Sequence, residues 1–410
     1  MSELLVRALS LLGLAILVAL VARRLRLPYT VGLVMAGGAL TGFRVNTGLE
    51  LTHDLIFDVV LPPLLFEAAL NLRWRELRRE LVPVLSLATV GVVLSAAFVA
   101  WGLIQFLEWP INSALAFGAL IAATDPISVI AIMRQTDVGA RLRLIIESES
   151  LFNDGAATVL FTMVLVWAAH AGSGVGALET AKILAVTAGG GLATGGVVGL
   201  AAVLVAGTSD DHLVETALSV LTAFGSFVLA ESFHGSGVLA TVTAGVVMGN
   251  LGVLVPKSAF GLSLSAHGRT FVLEFWEFAA FLANSLVFLL IGSATATVDF
   301  SREGLPALAI AIGLTLGARA VSVFPIGLAL RPTRWRVPVN EQILLWWGGL
   351  RGALALALAL ALPPDLPRRN DILIVAFAVV AFSVIVQGLT APFAIRALRP
   401  APDAEPIKAG

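Results

Sequence analysis

Ile121-Ala122-Ala123-Thr124-Asp125-Pro126-Ile127 sets a capping residue and a proline in the middle of an otherwise apolar run, residues 111–134. Threonine and aspartate favour the start of a helix and proline its first turn, so this run predicts a helix that stops and begins again. The first half is then left with free carbonyls and the second with free N–H groups. Gly348-Gly349-Leu350-Arg351-Gly352 gives a second break, inside residues 341–362. The two interrupted segments run in opposite directions, and paired interruptions in inverted halves predict a secondary transporter with its site at their crossing. A crossing brings positive helix ends together and negative ends together, which Asp125 and Arg351 can offset. A purely structural role for these two charges, without contact to substrate, fits the same reading.

The rest of the chain supports a membrane setting. Of 410 residues, 58% are hydrophobic and 13% charged, against about 25% charged in a soluble domain. The deficit runs the whole length, which excludes a soluble enzyme on an anchor as well as disordered and fibrous proteins. A net charge of −1 gives no sign of a nucleic-acid partner, and the absence of cysteine excludes disulfides, thiolate metal sites and a cysteine nucleophile. About thirteen runs approach the roughly 20 apolar residues a spanning helix needs: 4–22, 28–42, 51–71, 81–107, 111–134, 144–170, 178–207, 213–230, 236–252, 271–296, 305–329, 341–362 and 371–398. They are long, rich in Leu and Ala and without alternation, so strands are excluded. The expected fold is an all-α polytopic membrane protein, a single transmembrane domain over residues 1–399 with a short cytoplasmic tail at 400–410.

Basic residues test this layout. Eighteen of the 26 fall in loops after odd-numbered segments: Arg23, Arg24, Arg26, Arg73, Arg75, Arg78, Arg79, Arg134, Arg141, Arg143, Lys257, Arg269, Arg331, Arg334, Arg336, Arg396, Arg399 and Lys408. Such residues mark the cytoplasmic side, so the N-terminus is expected outside and the C-terminus inside. Arg23, Arg24 and Arg26 stand where a cleaved signal would need small residues, so the first segment is expected to remain.

Ionisable groups deep in a span are costly and are candidates for function. Asp154 lies ten residues into segment six, about 15 Å from the inner edge at the helical rise, which is mid-membrane. Arg351 in segment twelve, Arg319 in segment eleven and Asp125 in segment five reach a similar depth. Glu215, Glu231, Glu274, Glu277 and Glu341 sit near segment ends and are expected at the interface. Segment six reads Glu147-Ser-Glu-Ser-Leu-Phe-Asn-Asp154; Ser150 and Asp154 share one helix face, as do Glu149 and Asn153. The first face offers oxygen ligands for a hard monovalent cation. The second carries a carboxylate that needs a cationic partner, and spacing allows either Arg319 or Arg351. Asp154 has no obvious fixed partner, and a buried carboxylate of that kind can hold either a proton or a metal ion. Competition of the two for one carboxylate is a sufficient mechanism for exchange. Glu67 can add an oxygen from segment three, although an interfacial position suits it almost as well.

At these residues the chain resembles the NhaP-type monovalent cation:proton antiporters, relatives of the eukaryotic sodium/proton exchangers. The resemblance rests on six motifs in order. They are Leu61-Pro-Pro-Leu-Leu-Phe-Glu-Ala-Ala-Leu-Asn71, Ala123-Thr-Asp-Pro126, Glu149-Ser-Leu-Phe-Asn-Asp154, His234-Gly-Ser-Gly237, Gly317-Ala-Arg-Ala-Val-Ser-Val-Phe-Pro325 and Trp346-Trp-Gly-Gly-Leu-Arg-Gly352. It implies a thirteen-helix homodimer with inverted repeats and two crossed broken helices. A core that includes roughly residues 81–170 and 305–398 would move against a dimerisation domain. It further implies that Asp154 exchanges proton for cation, that Ser150, Glu67 and the Thr124 main chain complete the cation site, and that uncharged Asn153 stands beside them. Glu149 would pair with Arg319, with Asp125 and Arg351 as structural charges. The transported species would be sodium or lithium and protons, exchanged one for one without net charge, across the cell membrane in the service of pH homeostasis. No cofactor is expected. Asn284 departs from the acidic residue common there among the eukaryotic exchangers, and no counterpart of their long regulatory tail is expected.

A potassium/proton antiporter on the same fold is the alternative, because residue types do not set cavity size or ligand number. A cation channel is more remote, as no filter motif is present. An intramembrane hydrolase lacks His-Glu-x-x-His and cysteine, and His234 beside Gly235-Ser236-Gly237 reads as a glycine-rich helix start rather than a serine protease. The Gly189-Gly-Gly191 region of segment seven reads as a surface for close helix packing.

Overall fold

The computed structural model describes residues 2–25, 27–44, 48, 50–133, 138–170, 176–254 and 264–398. Arg26, Arg134, Lys257, Arg399, Lys408 and the expected tail at 400–410 lie outside the described residues. Among the described residues all regular structure is helical. The helices are α1 (Ser2–Leu25), α2 (Tyr29–Gly42), α3 (Leu55–Val60 continued by Leu61–Asn71) and α4 (Leu81–Leu107). There follow α5 in two halves (Ile111–Ala122, Ile127–Met133), α6 (Ala140–Ala169), α7 (Leu178–Ala206), α8 (His212–Ser232) and α9 (Gly237–Val253). The last are α10 (Ala266–Thr297), α11 (Leu305–Leu330), α12 in two halves (Val339–Trp347, Ala353–Leu360) and α13 (Arg369–Leu398). Each apolar run read from the sequence is one of these helices, with ends shifted by a few residues. Seven of them are unbroken runs long and apolar enough to cross a membrane.

Packing sorts the helices into two sets. One joins α4, α5, α6, α11, α12 and α13; the other joins α1, α2, α3, α7, α8, α9 and α10. In lipid, close approach of small residues supplies much of the attraction between helices. Gly37 of α2 lies against the Leu289 backbone, and Gly292 of α10 against that of Val34, so a side chain at either would collide with main chain. On α7 the stripe Gly191, Gly195 and Gly199 seats on Ser236, Ala240 and Ala244 of α9. The glycine-rich segment thus packs, but through every fourth residue rather than through Gly189, where an added Cβ would meet nothing within 4 Å.

One end-of-segment glutamate departs from the interfacial expectation. Glu215 is fully buried, and its carboxylate accepts from the Ser265 backbone N–H (2.8 Å) and hydroxyl (2.9 Å) just before α10 begins. At the start of α10 the unsatisfied N-terminal N–H groups draw in the Glu215 carboxylate of the neighbouring helix. Glu277 is exposed, as expected, and also lines the cavity described below. Glu231, exposed at the end of α8, serves the start of α9 as Glu215 serves that of α10, by accepting from Gly237 N–H at 2.8 Å.

Candidate functional site

The two breaks cross and hold each other. The Asp125 N–H donates to the Leu350 carbonyl at 2.7 Å, main chain to main chain between α5 and α12. Both helices stop short there: Ala123 turns extended (φ −58, ψ 140), and α12 resumes only after Gly352. The glycines of α12 make room for charge. A Cβ on Gly349 would stand 2.5 Å from Arg319 Nε, and one on Gly352 would collide with the Asp125 carboxylate.

The helix ends are balanced as their dipoles require. Arg351, 2% exposed, donates through Nη1 to the carbonyls of Ala122 (2.8 Å) and Ala123 (2.9 Å), the open C-terminal end of the first half of α5. Asp125 Oδ1 accepts from the Ile127 N–H at 3.0 Å, at the start of the second half. Of the two arginines that spacing allowed for Glu149, Arg319 is the partner. Its Nη1 and Nη2 reach the two carboxylate oxygens at 2.8 and 2.9 Å, in a buried fork, and its Nε donates to the Leu345 carbonyl at 3.2 Å.

The remaining face of α6 is different. The Ser150 hydroxyl donates to the Thr124 carbonyl at 2.6 Å. Asn153 turns its amide to the Thr124 hydroxyl (3.2 Å) and to Glu149 (3.2 Å), tying α6 to the break, and it does not line the cavity. Asp154 Oδ1 is buried without a hydrogen-bond partner among the described residues. Asp154, Ser150, Thr124 and Glu67 line one cavity of about 490 Å³ between the two helix sets. Glu67 there accepts from the Asn71 amide at 2.9 Å.

Other contributors escaped the sequence reading. Ser383 and Gln387 lie in a π-helical stretch of α13. The Ser383 hydroxyl oxygen accepts from the Arg351 N–H (2.8 Å) while donating to Gln387 Oε1 (2.6 Å), and Gln387 Nε2 donates to the Trp347 carbonyl (3.1 Å). Together they satisfy the open main chain of α12, and π turns are frequent at functional sites. Two polar residues four apart in an apolar run were the available signal. Glu147, Glu277 and Asn284 also line the cavity.

The sodium/hydrogen exchanger transmembrane family model matches residues 11–397. Among curated proteins, the Na(+)/H(+) antiporter ApNhaP of Aphanothece halophytica is 40% identical over 367 residues, covering 89% of this chain and 68% of its own. NhaH of Halobacillus aidingensis, also a Na(+)/H(+) antiporter, is 35% identical over 402 residues, covering 94% and 95%. The fold is similar to that of the sodium proton antiporter MjNhaP1 from Methanocaldococcus jannaschii, with a TM-score of 0.76 at 20% identity over 99% of both chains.

Proposed function

The chain belongs to the sodium/hydrogen exchanger family and is a multi-pass membrane transporter, not an enzyme; from that premise we propose that it exchanges protons for sodium or lithium ions, one for one and without net charge movement. The observation that carries this reading is the isolation of Asp154. Every other charge at the crossing is matched: Glu149 by Arg319, Arg351 by carbonyls, Asp125 by an N–H group. Asp154 keeps a buried carboxylate oxygen without a hydrogen-bond partner among the described residues, and it faces a cavity. Either a proton or a hard cation satisfies that oxygen, and the arrival of one displaces the other. Ser150, the Thr124 carbonyl and Glu67 supply further oxygens, while Asn153 braces the break against Glu149. With one titrating carboxylate, one proton leaves for each monovalent cation that binds.

Exchange also needs access from both sides in turn. The six-helix set of α4–α6 and α11–α13 is the moving body, and α1–α3 with α7–α10 are the frame, through which two copies pair as a homodimer. The cell membrane, with the N-terminus outside and the C-terminus in the cytoplasm, suits the basic loops. The names of the curated relatives support sodium over potassium.

The test is a proton-flux assay in sealed proteoliposomes under an imposed pH gradient, with sodium, lithium and potassium added in turn. Valinomycin with potassium clamps the voltage in parallel samples. Collapse of the gradient by sodium or lithium, unchanged by the clamp, is the expected result. A response to potassium alone would make the protein a potassium/proton antiporter, and no response to any cation would end the antiport reading.

A further inference from the structure

The cavity has two walls from different helix sets, and the oxygens discussed so far reach it from only part of that lining. On the wall opposite α6, helix α10 presents Glu277, Ala280, Phe281 and Asn284 at i, i+3, i+4 and i+7, one continuous face. Asn284 Oδ1, like Asp154 Oδ1, is a buried acceptor without a hydrogen-bond partner among the described residues. Buried polar atoms are nearly always satisfied, so an orphan that faces a cavity calls for an occupant. Two orphaned acceptors on opposite walls of one cavity ask for the same kind of occupant, a small cation or the proton of a donor.

Glu277 is exposed, whereas Glu67, Glu147, Asn284 and Asp154 are all half-buried, and the Oδ1 atoms of Asn284 and Asp154 are shut from solvent. Glu67 lies near the end of α3, Glu147 near the start of α6, and Glu277 two turns before Asn284 on α10. The cavity lining thus includes an exposed carboxylate, a solvent-shut neutral amide oxygen and the solvent-shut oxygen of the exchanging carboxylate. A neutral oxygen deep in the cavity replaces part of a hydration shell without holding the ion as a second fixed charge would, which suits discrimination among alkali ions.

We infer that Asn284 is a second-wall ligand for the transported cation, binding it through Oδ1 while Asp154 holds it from α6, and that it tunes affinity and alkali-ion selectivity. The inference rests on cation exchange at Asp154. Because α10 belongs to the frame and α6 to the moving set, the contact exists in one access state and is lost in the other, so Asn284 acts on binding from one side of the membrane.

Asn284→Ala and Asn284→Asp are to be compared with the parent in proteoliposomes, with cation supplied from each side separately and size-exclusion profiles recorded. Asn284→Ala is expected to raise the half-saturating sodium concentration about three- to tenfold, the scale of one neutral oxygen contact. The change should appear on one side only, alter the lithium-to-sodium ratio and leave the maximal rate near that of the parent. Asn284→Asp keeps the oxygen and adds a charge, so it is expected to lower the half-saturating sodium concentration below that of the parent and to shift the lithium-to-sodium ratio. Unchanged half-saturation and selectivity in Asn284→Ala would overturn the inference. So would a fall in maximal rate and thermal stability with half-saturation unmoved, since a packing role alone does that. If Asn284→Ala does not fold, Asn284→Asp decides: half-saturation and selectivity unmoved by an added charge overturns the assignment. A parent that exchanges no cation ends the underlying reading, whereas a normal parent beside an unaltered Asn284→Ala ends only this one.

Discussion

Asp154 and Glu149 sit five residues apart on α6 and differ in what faces them: Glu149 is clasped by Arg319, and Asp154 has one buried oxygen with no partner. That difference assigns their roles and separates the effects of changing them. Asp154→Asn removes the titrating group while keeping its shape, so exchange is expected to vanish with the size-exclusion profile and melting temperature intact. Full activity in that variant would sink the proposed mechanism. Glu149→Gln instead leaves Arg319 as an uncompensated buried charge, which typically costs about 3–5 kcal/mol. The expected readout is a much lower melting temperature in detergent, partly recovered in the Glu149→Gln/Arg319→Gln double variant because the stranded charge is then gone.

At the scale of elements, each break owes its shape to space as much as to capping. Gly352 lies so close to the Asp125 carboxylate that a methyl group there must push the two broken helices apart. Gly352→Ala is therefore expected to slow exchange severalfold more than it lowers stability, a split measurable by flux and melting of the same preparation. The α7–α9 contact offers a cleaner test of packing. Gly195 presses on the Ala240 backbone, whereas an added Cβ on its neighbour Gly196 would meet nothing within 4 Å. Gly195→Leu is expected to cost at least about 1–3 kcal/mol, the scale of overpacking, while Gly196→Leu should melt like the parent. Equal melting of the two variants would mean that the glycine stripe contributes no tight contact.

For the whole molecule, the proposed exchange requires the two helix sets to slide. They meet where Gly155 of α6 lies against the Leu239 side chain of α9. The sequence contains no cysteine, so a Gly155→Cys/Leu239→Cys pair can be oxidised without competing thiols. Oxidation is expected to stop exchange and reduction to restore it. Undiminished flux through the cross-linked protein would show that the sets do not move past each other at this contact.

Position along each helix was legible in the chain, because a helix rises about 1.5 Å per residue and counting from a segment end locates a side chain along it. The helical runs, the breaks at Thr124-Asp125-Pro126 and Gly348–Gly352, and the shared level of Asp125, Asp154, Arg319 and Arg351 all follow from such counting. Lateral neighbours do not follow from it. Whether Glu149 met Arg319 or Arg351, that Glu215 would be buried against Ser265, that Asn153 would turn to Thr124, and that α10 would wall the cavity with Asn284 depended on which helices lie side by side and how each is rotated. Those choices are made by contacts between residues far apart in the chain, such as Gly37 on Leu289, Gly292 on Val34 and the Leu350 carbonyl on the Asp125 N–H. Spacing along one helix determined the level of each charge, and packing between helices decided which charge was left without a partner.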